Sequence, residues 1–246
     1  MKDIKGNKKN LLTCYKETEL ELEIGIDEVG RGPLFGRVYS AAVILPKTPD
    51  FKFELLKDSK KFTSRKKIKE VSDYIKSNVP NYSIAYEDEK TIGKINIKNA
   101  CHNAMHKAIR ALLSQSESMD TETKADSKSD YSNYILLVDG NNFKPFIYFN
   151  NTELKQINHI TIEGGDNIYC SIAAASILAK VDHDKYIEEL CTEYPKLHEY
   201  YDLNNNKGYG TKRHIEGIKK YGISPWHRTS YGCCKTATLN NDDFYL

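Results

Sequence analysis

The 246-residue sequence lacks an excess of either charge, with 36 Lys and Arg against 34 Asp and Glu. That balance excludes a strongly basic body of the kind that coats nucleic acid, so any polyanion site must come from local clustering. No run approaches the roughly 18 apolar residues of a membrane span. The opening MKDIKGNKKN has no apolar stretch behind it such as a signal peptide carries. The six cysteines, at 14, 101, 170, 191, 233 and 234, contain no CxxC pairing, and only the last two are close in sequence. Such usage fits free thiols of a reducing compartment rather than a disulfide framework or a zinc site. A cytoplasmic protein without membrane association is the expectation. Internal repeats are also lacking, and the length suits one large domain or a domain with a small extension.

What is present is a mixture of strand and helix signals. Residues 1–19 are polar and lysine-rich with weak periodicity, which predicts a poorly ordered or loosely docked arm. Strands are expected from Leu20 to Asp27 and from Val38 to Leu45, joined by the glycine-rich turn GRGPLFG. Beyond Thr63 and Ser64, either a good N-cap, Ile68, Val71 and Ile75 mark an amphipathic helix. Tyr82–Tyr86 reads as a strand, and Ile97, Cys101, Ala104, Ala108 and Leu112 as one face of a second helix. Residues 114–132 carry almost no large apolar side chain, which predicts a mobile insertion. YILLVDG and His159–Ile162 are further strands, Ile168 to about Tyr194 a long helix rich in small residues, and Lys212–Tyr221 a shorter one capped by Thr211. The predicted fold class is α/β, a mixed sheet covered by helices, with the main body over 20–195 and a C-terminal helical part over 196–246.

Acids fall at the ends of three of these strands. Asp27 and Glu28 close the first, Asp139 closes YILLVD, and Asp166 follows Gly164 and Gly165. If the strand ends are level, the carboxylates share one volume, where like charges raise one another's pKa values. A divalent cation resolves that conflict, and an all-oxygen set suits Mg²⁺ or Mn²⁺ rather than zinc. One difficulty is geometric: neighbouring residues of a strand point to opposite faces, so Asp27 and Glu28 share an ion only if the strand ends or twists there. Gly30 and Gly32 supply a place for such a break. Any one of these acids alone reads more naturally as a turn residue or cap; the combination argues for the site.

Two basic segments flank the acids. Residues 57–69 hold seven cations against Asp58 alone, and residues 207–235 seven against Glu216 alone. Clusters of this kind hold phosphate backbones, although each by itself is more often a solvated surface. Tyr209, between Gly208 and Gly210, is poorly placed for core packing, and its ring suits stacking on a sugar or base. GRGPLFG is not a dinucleotide fingerprint, because its spacing is GxGxxxG and a strand follows. His102 and His106 read as a helix-face pair rather than a metal site, since Asn103 stands where a zinc-protease motif needs Glu. Lys180 and Asp184, four residues apart, fit a helix ion pair. Trp226, His227 and Arg228 fit either a packed turn or a phosphate contact.

Taken in order, GIDEVGRGPLFG, DSKKF, INIKNA, LLVDGN, GGD with SIAAASILAKVDHD, and NKGYGTKRHIEGIKKYGISPWHRTSY resemble the successive motifs of ribonuclease HII, covering residues 25 to about 231. The resemblance implies a ribonuclease H-like fold. It implies endonucleolytic cleavage of RNA in RNA–DNA hybrids and at single ribonucleotides in duplex DNA, with roles in ribonucleotide excision repair and DNA replication. By motif, Asp27, Glu28, Asp139 and Asp166 are then the catalytic, metal-binding acids for Mg²⁺ or Mn²⁺. Gly30, Arg31 and Gly32 would sense the ribose 2′-hydroxyl, Tyr209 would stack on the neighbouring deoxyribose, and Lys60 and Lys180 would contact phosphates. The related ribonuclease HIII usually has Ser and Lys where this chain has Val29 and Arg31. Arg37 and Phe35 depart from the common family residues.

Two-metal hydrolysis giving 3′-hydroxyl and 5′-phosphate ends, by a monomer, is the resulting expectation. Two other readings stand beside it: a same-fold nuclease or recombinase acting on all-DNA junctions, and a non-catalytic hybrid-binding protein. The first shares the acids; the second has no use for four of them.

Overall fold

The computed structural model describes residues 10–15, 22–119 and 130–244, with only the backbone for 116–119. Most of the expected N-terminal arm and the centre of the polar insertion therefore lie outside the described residues.

Strand β1, Leu22–Val29, pairs antiparallel with β2, Val38–Val43, which pairs antiparallel with β3, Tyr82–Glu87. On its other edge β1 runs parallel to β4, Tyr134–Asp139. A small hairpin, β5 (Ile147–Phe149) and β6 (Leu154–Gln156), precedes β7, Asn158–Ile162, which lies parallel to β4. The mixed five-stranded sheet has the order β3-β2-β1-β4-β7. The two strands that end in acids, β1 and β4, are thus immediate neighbours at its centre.

Helix α1 spans Arg65–Asn78, with Ser64 as its cap: the side chain accepts from the Lys67 amide. Helix α2 runs over Glu89–Met119 and bends at Asn96, whose φ of 64° is non-helical and whose side-chain oxygen accepts from the Asn99 amide. This corrects the start expected for the mobile insertion, because residues 114–119 continue the helix. With Leu112 and Leu113 buried, the packed turns serve as the nucleus, and each further residue is added at little cost.

Helix α3, Cys170–Glu193, starts two residues later than its periodicity suggests. Gly164, Gly165 and Asp166 form a tight turn first, and Tyr169 is held extended by a bridge to Leu12. Two shorter helices, α4 (Lys196–Tyr201) and α5 (Leu203–Asn206), lead to α6, Lys212–Tyr221, capped by Thr211 as its sequence predicts.

Alternation along the strands divides the core between two helices. Ile24, Ile26, Leu136 and Val138 pack on Met105, Ala108, Ile109 and Leu112 of α2. The opposite face meets α3, whose small residues Ala173, Ala174 and Ala175 are fully buried. Contact there is close: a Cβ on Gly25 would stand 2.2 Å from the Ser171 carbonyl carbon. Gly25→Ala must therefore push α3 off the sheet, at an expected cost of about 1–3 kcal/mol. Thermal unfolding should show this as a midpoint lower by several degrees; an unchanged midpoint would contradict the packing.

The C-terminal part does not form a body of its own. Leu197, Tyr201, Leu203, Ile218, Ile223 and Phe244 share one apolar cluster with Phe35, Tyr39 and α3. Among the described residues no helix is long and apolar enough to cross a membrane, and the six cysteines are free thiols.

Candidate active site

Strand β1 does not break between its two acids. Val29 is still paired with Tyr39, and the turn comes at Gly30, whose φ of +97° an L side chain rarely adopts. Asp27 and Glu28 consequently point to opposite faces of the sheet. Asp27 lies on the α3 side, where Ser176 offers its hydroxyl to the carboxylate. Glu28 lies on the α2 side and pairs with Arg31 at 3.1 Å. It borders a cleft of about 320 Å³ shared with Lys98, Cys101, His102, Asp139 and Asn142. A larger, mainly apolar cavity of about 740 Å³ opens at the far end of β1, around Leu22, Leu45 and Phe53, and contains none of the four acids.

Asp139, at the end of β4, joins the two sides, since its charge acts on Asp27, Glu28 and Asp166. Its Oδ1 accepts from the Gly165 amide at 2.7 Å, which draws the glycine turn carrying Asp166 against β4. One oxygen of each remaining aspartate is similarly anchored: Asp27 Oδ1 by the Glu28 amide at 2.7 Å, and Asp166 Oδ1 by the Asn167 side chain at 3.0 Å. Asp166 Oδ2 is buried with no hydrogen-bond partner.

These surroundings work against ionisation. Burial, then the charges of Glu28 and Asp139, push the Asp27 carboxyl well above its ordinary range, and the Ser176 hydroxyl only partly offsets them. Burial also raises Glu28, against the pull of Arg31. Asp166 is raised by burial and then by Asp58 and Asp139, with Lys60 opposing. Among the described residues no three His, Cys, Asp or Glu groups form a finished metal cage. What converges is a set of interacting acids straddling β1, three of them raised by burial and one with an oxygen left bare. Divalent cations fit a donor set of that chemistry.

The glycine turn and Tyr209 also meet. The Tyr209 ring, about half exposed, lies against Gly32, so that a Cβ there would come within 3.3 Å of it. Lys60, largely exposed, stands with Nζ 3.8 Å from Asp166 Oδ2. Burial works against its charge, but Asp166 and Asp58 raise it. Lys180 is placed differently: its ammonium pairs with Asp184 at 2.8 Å, the helix ion pair its spacing suggests, and the His183 ring shares the same carboxylate oxygen. His102 and His106 bond the carbonyls of Asn142 and Lys144, tying α2 to the loop after β4. Trp226, His227 and Arg228 form a packed turn, with His227 and Arg228 buried.

Residue order gives no site role to Asp58 or Ser176, and for Arg228 it leaves a packed turn and a phosphate contact equally open. Asp58 caps the turn at Ser59–Lys61, accepting from the Lys60 amide at 2.8 Å, and its charge reaches Asp166. Ser176 bonds Ser59 at 3.0 Å and thereby seats that turn on α3. Arg228 is buried beneath the glycine turn. The DSKK run contained a signal for the first, in an aspartate just ahead of a basic stretch; the other two depend on contacts between remote segments.

Comparison with known proteins gives the family and supports the fold. The sequence model of the family Ribonuclease HII matches residues 24–234. Ribonuclease HII of Phocaeicola vulgatus is 39% identical over 226 residues, covering 92% of this chain and 96% of that protein. Among solved structures, ribonuclease H2 from Pyrococcus horikoshii OT3 superposes with a TM-score of 0.57 at 20% identity, covering 87% of this chain and 95% of that one. Bst-RNase HIII in complex with Mn²⁺ gives 0.52 at 19%, with 82% and 63% covered. At such low identity the structures speak for the fold alone, whereas the family model spans most of the sequence, and by that match the chain belongs to the ribonuclease HII family.

Proposed function

We propose that this chain is an endoribonuclease that cuts the RNA strand of RNA–DNA hybrids and duplex DNA at single embedded ribonucleotides, with Asp27, Glu28, Asp139 and Asp166 holding Mg²⁺ or Mn²⁺. The observation that carries this reading is the position of Asp139, whose charge acts on the other three acids from the strand next to β1. Three buried acids held above their ordinary range, with a fourth carboxylate beside them, are a poor structural device and a good cation site. Bound there, divalent ions would supply an activated water and charge stabilisation at the departing oxygen, leaving 3′-hydroxyl and 5′-phosphate ends.

The chain's own groups orient and select. Backbone and side-chain donors hold one oxygen of each aspartate, and Asp166 Oδ2 is left without a hydrogen-bond partner, available to a ligand. Lys60 and Arg31 set positive charge on either flank of the acids, suited to the phosphates beside the cut. Telling RNA from DNA requires a contact to the 2′-hydroxyl, and the backbone of residues 30–32 can approach a sugar closely because two of the three are glycine. Tyr209, seated against Gly32, is at the right place to stack on the next sugar.

The direct test uses purified protein with Mg²⁺ or Mn²⁺ on duplex DNA carrying one ribonucleotide, with product ends mapped. Cleavage of an all-DNA duplex at equal rate, or no strand breakage, would sink the proposal. For Tyr209→Ala the expected loss in kcat/KM is about tenfold or more on the lone ribonucleotide, from one lost stacking contact, and smaller on a long hybrid. Equal losses on both would remove the junction role of Tyr209.

A further inference from the structure

We propose that the turn Ser224–Arg228 is the positioning element of the ribose-reading surface: Arg228 holds the Gly30-Arg31-Gly32 loop, His227 acts through His214 on Tyr209, and the pair fixes the two in one register. This rests on the ribose-recognition reading above.

The Arg228 guanidinium is fully buried, and carbonyl oxygens alone take up its five N–H groups. Nε donates to Gly36 at 2.8 Å. Nη1 donates to Arg31 at 3.1 Å and Pro33 at 2.9 Å, and Nη2 to Gly30 at 2.7 Å and Arg37 at 3.0 Å. The loop is thus wrapped around a cation of the chain's own, with its carbonyls turned inward. The Tyr231 hydroxyl adds a bond to the Arg31 carbonyl from the surface, at 3.1 Å. Among the described residues no acceptor takes the N–H of Arg31 or Gly32, so these donors remain for a ligand oxygen. Lysine offers three donors from one point and cannot reproduce the planar five-bond fork.

The neighbouring residue acts on the other half of the surface. His227 Nδ1 accepts from the Ser224 amide at 3.0 Å, so its Nε2–H donates to His214 Nε2, also at 3.0 Å. His214 Nδ1–H then donates to the Tyr209 carbonyl at 2.9 Å. A carbonyl only accepts, so the direction of the whole chain of bonds is set. Adjacent residues of one buried turn therefore fix the glycine loop and the Tyr209 loop together.

The test compares kcat/KM on DNA with one ribonucleotide, on a uniform RNA–DNA hybrid and on all-DNA duplex, for wild type, Arg228→Lys, Arg228→Ala and Tyr231→Phe. The ratio of the first substrate to the second should fall about tenfold or more in Arg228→Lys and a few-fold in Tyr231→Phe. Hybrid cleavage should fall as well but by less, since a hybrid offers a 2′-hydroxyl in every register along the strand. Millimolar guanidinium should restore the ratio in Arg228→Ala where equal ammonium does not. Equal losses on both ribose substrates would mean a merely structural role and would overturn the proposal, as would an unchanged ratio. Tyr231 is partly exposed, so Tyr231→Phe decides the matter even if the Arg228 variants do not fold. A wild-type protein that cuts all-DNA duplex equally well defeats the ribose reading itself; a ribose-selective wild type whose variants keep the wild-type ratio defeats only the present inference.

Discussion

Asp139→Asn is expected to slow cleavage by about a thousandfold or more at saturating Mg²⁺, equivalent to about 4 kcal/mol of transition-state stabilisation, while hybrid binding survives. Asparagine keeps the shape of the side chain and an oxygen for the Gly165 amide, so the turn that carries Asp166 should stay in place. What disappears is the one charge that acts on all three other acids. Asp27→Asn should have an effect of similar size, since Asp27 is buried between Ser176 and the remaining carboxylates. Binding is expected to depend on the exposed cations within residues 57–69 and 207–235 and to respond to salt rather than to these substitutions. Single-turnover rates, with affinity measured separately by fluorescence anisotropy, separate the two properties. Substantial turnover in both variants would refute the roles assigned to the acids.

The same acids should make the protein less stable than it need be. Asp27, Glu28 and Asp166 have carboxyls raised above their ordinary values. The folded state therefore holds more protons than the unfolded chain between the ordinary carboxylate value of about 4 and the raised ones. Stability supplied by these groups is then full at low pH and is lost as pH rises through that window. Buried His183, His214 and His227, each held below the usual imidazole value mainly by burial, act in the opposite sense and lose stability on acidification. A difference measurement removes the histidines. Without divalent ions, Asp27→Asn should melt a few degrees above wild type at pH 7, and the gap should shrink as pH falls towards 5. Mg²⁺ or Mn²⁺ should raise the wild-type midpoint more than that of the variant. A variant that melts lower at pH 7, or a gap that widens in acid, would contradict the electrostatic account. Together the two results would describe a site in which activity is held at the expense of stability.

Which parts of this were open to reading from residue order alone follows from the range of the forces involved. Capping and periodicity act within a few residues, so Ser64 and Thr211 mark α1 and α6, and the alternation in β1 and β2 marks the strands. The glycines that follow Val29 and Asp139 likewise reveal strand ends, and with them the acids. Composition sets the start of the polar insertion too early, because it reports what a segment lacks and not that a packed helix continues into it. Start of α3 shifted for a related reason: Tyr169 is held extended by Leu12, more than 150 positions earlier in the chain.

Residue order alone reveals the main strands and helices, the four acids, the two basic segments and the exposed tyrosine, because each leaves a local trace in composition, spacing or turn chemistry, whereas the short β5–β6 hairpin, α4 and α5 do not stand out in it. It took the fold to set Asp27 and Glu28 astride an unbroken β1 with Asp139 acting on both, and to bring Asp58 and Ser176 to the acids. Only folding, too, set Arg228 inside a loop 198 positions away. A hydrogen bond across that separation imposes no pattern on neighbouring residues; it exists because the sheet and α3 bring the two segments together, and a buried guanidinium is tolerated only where every N–H finds an acceptor.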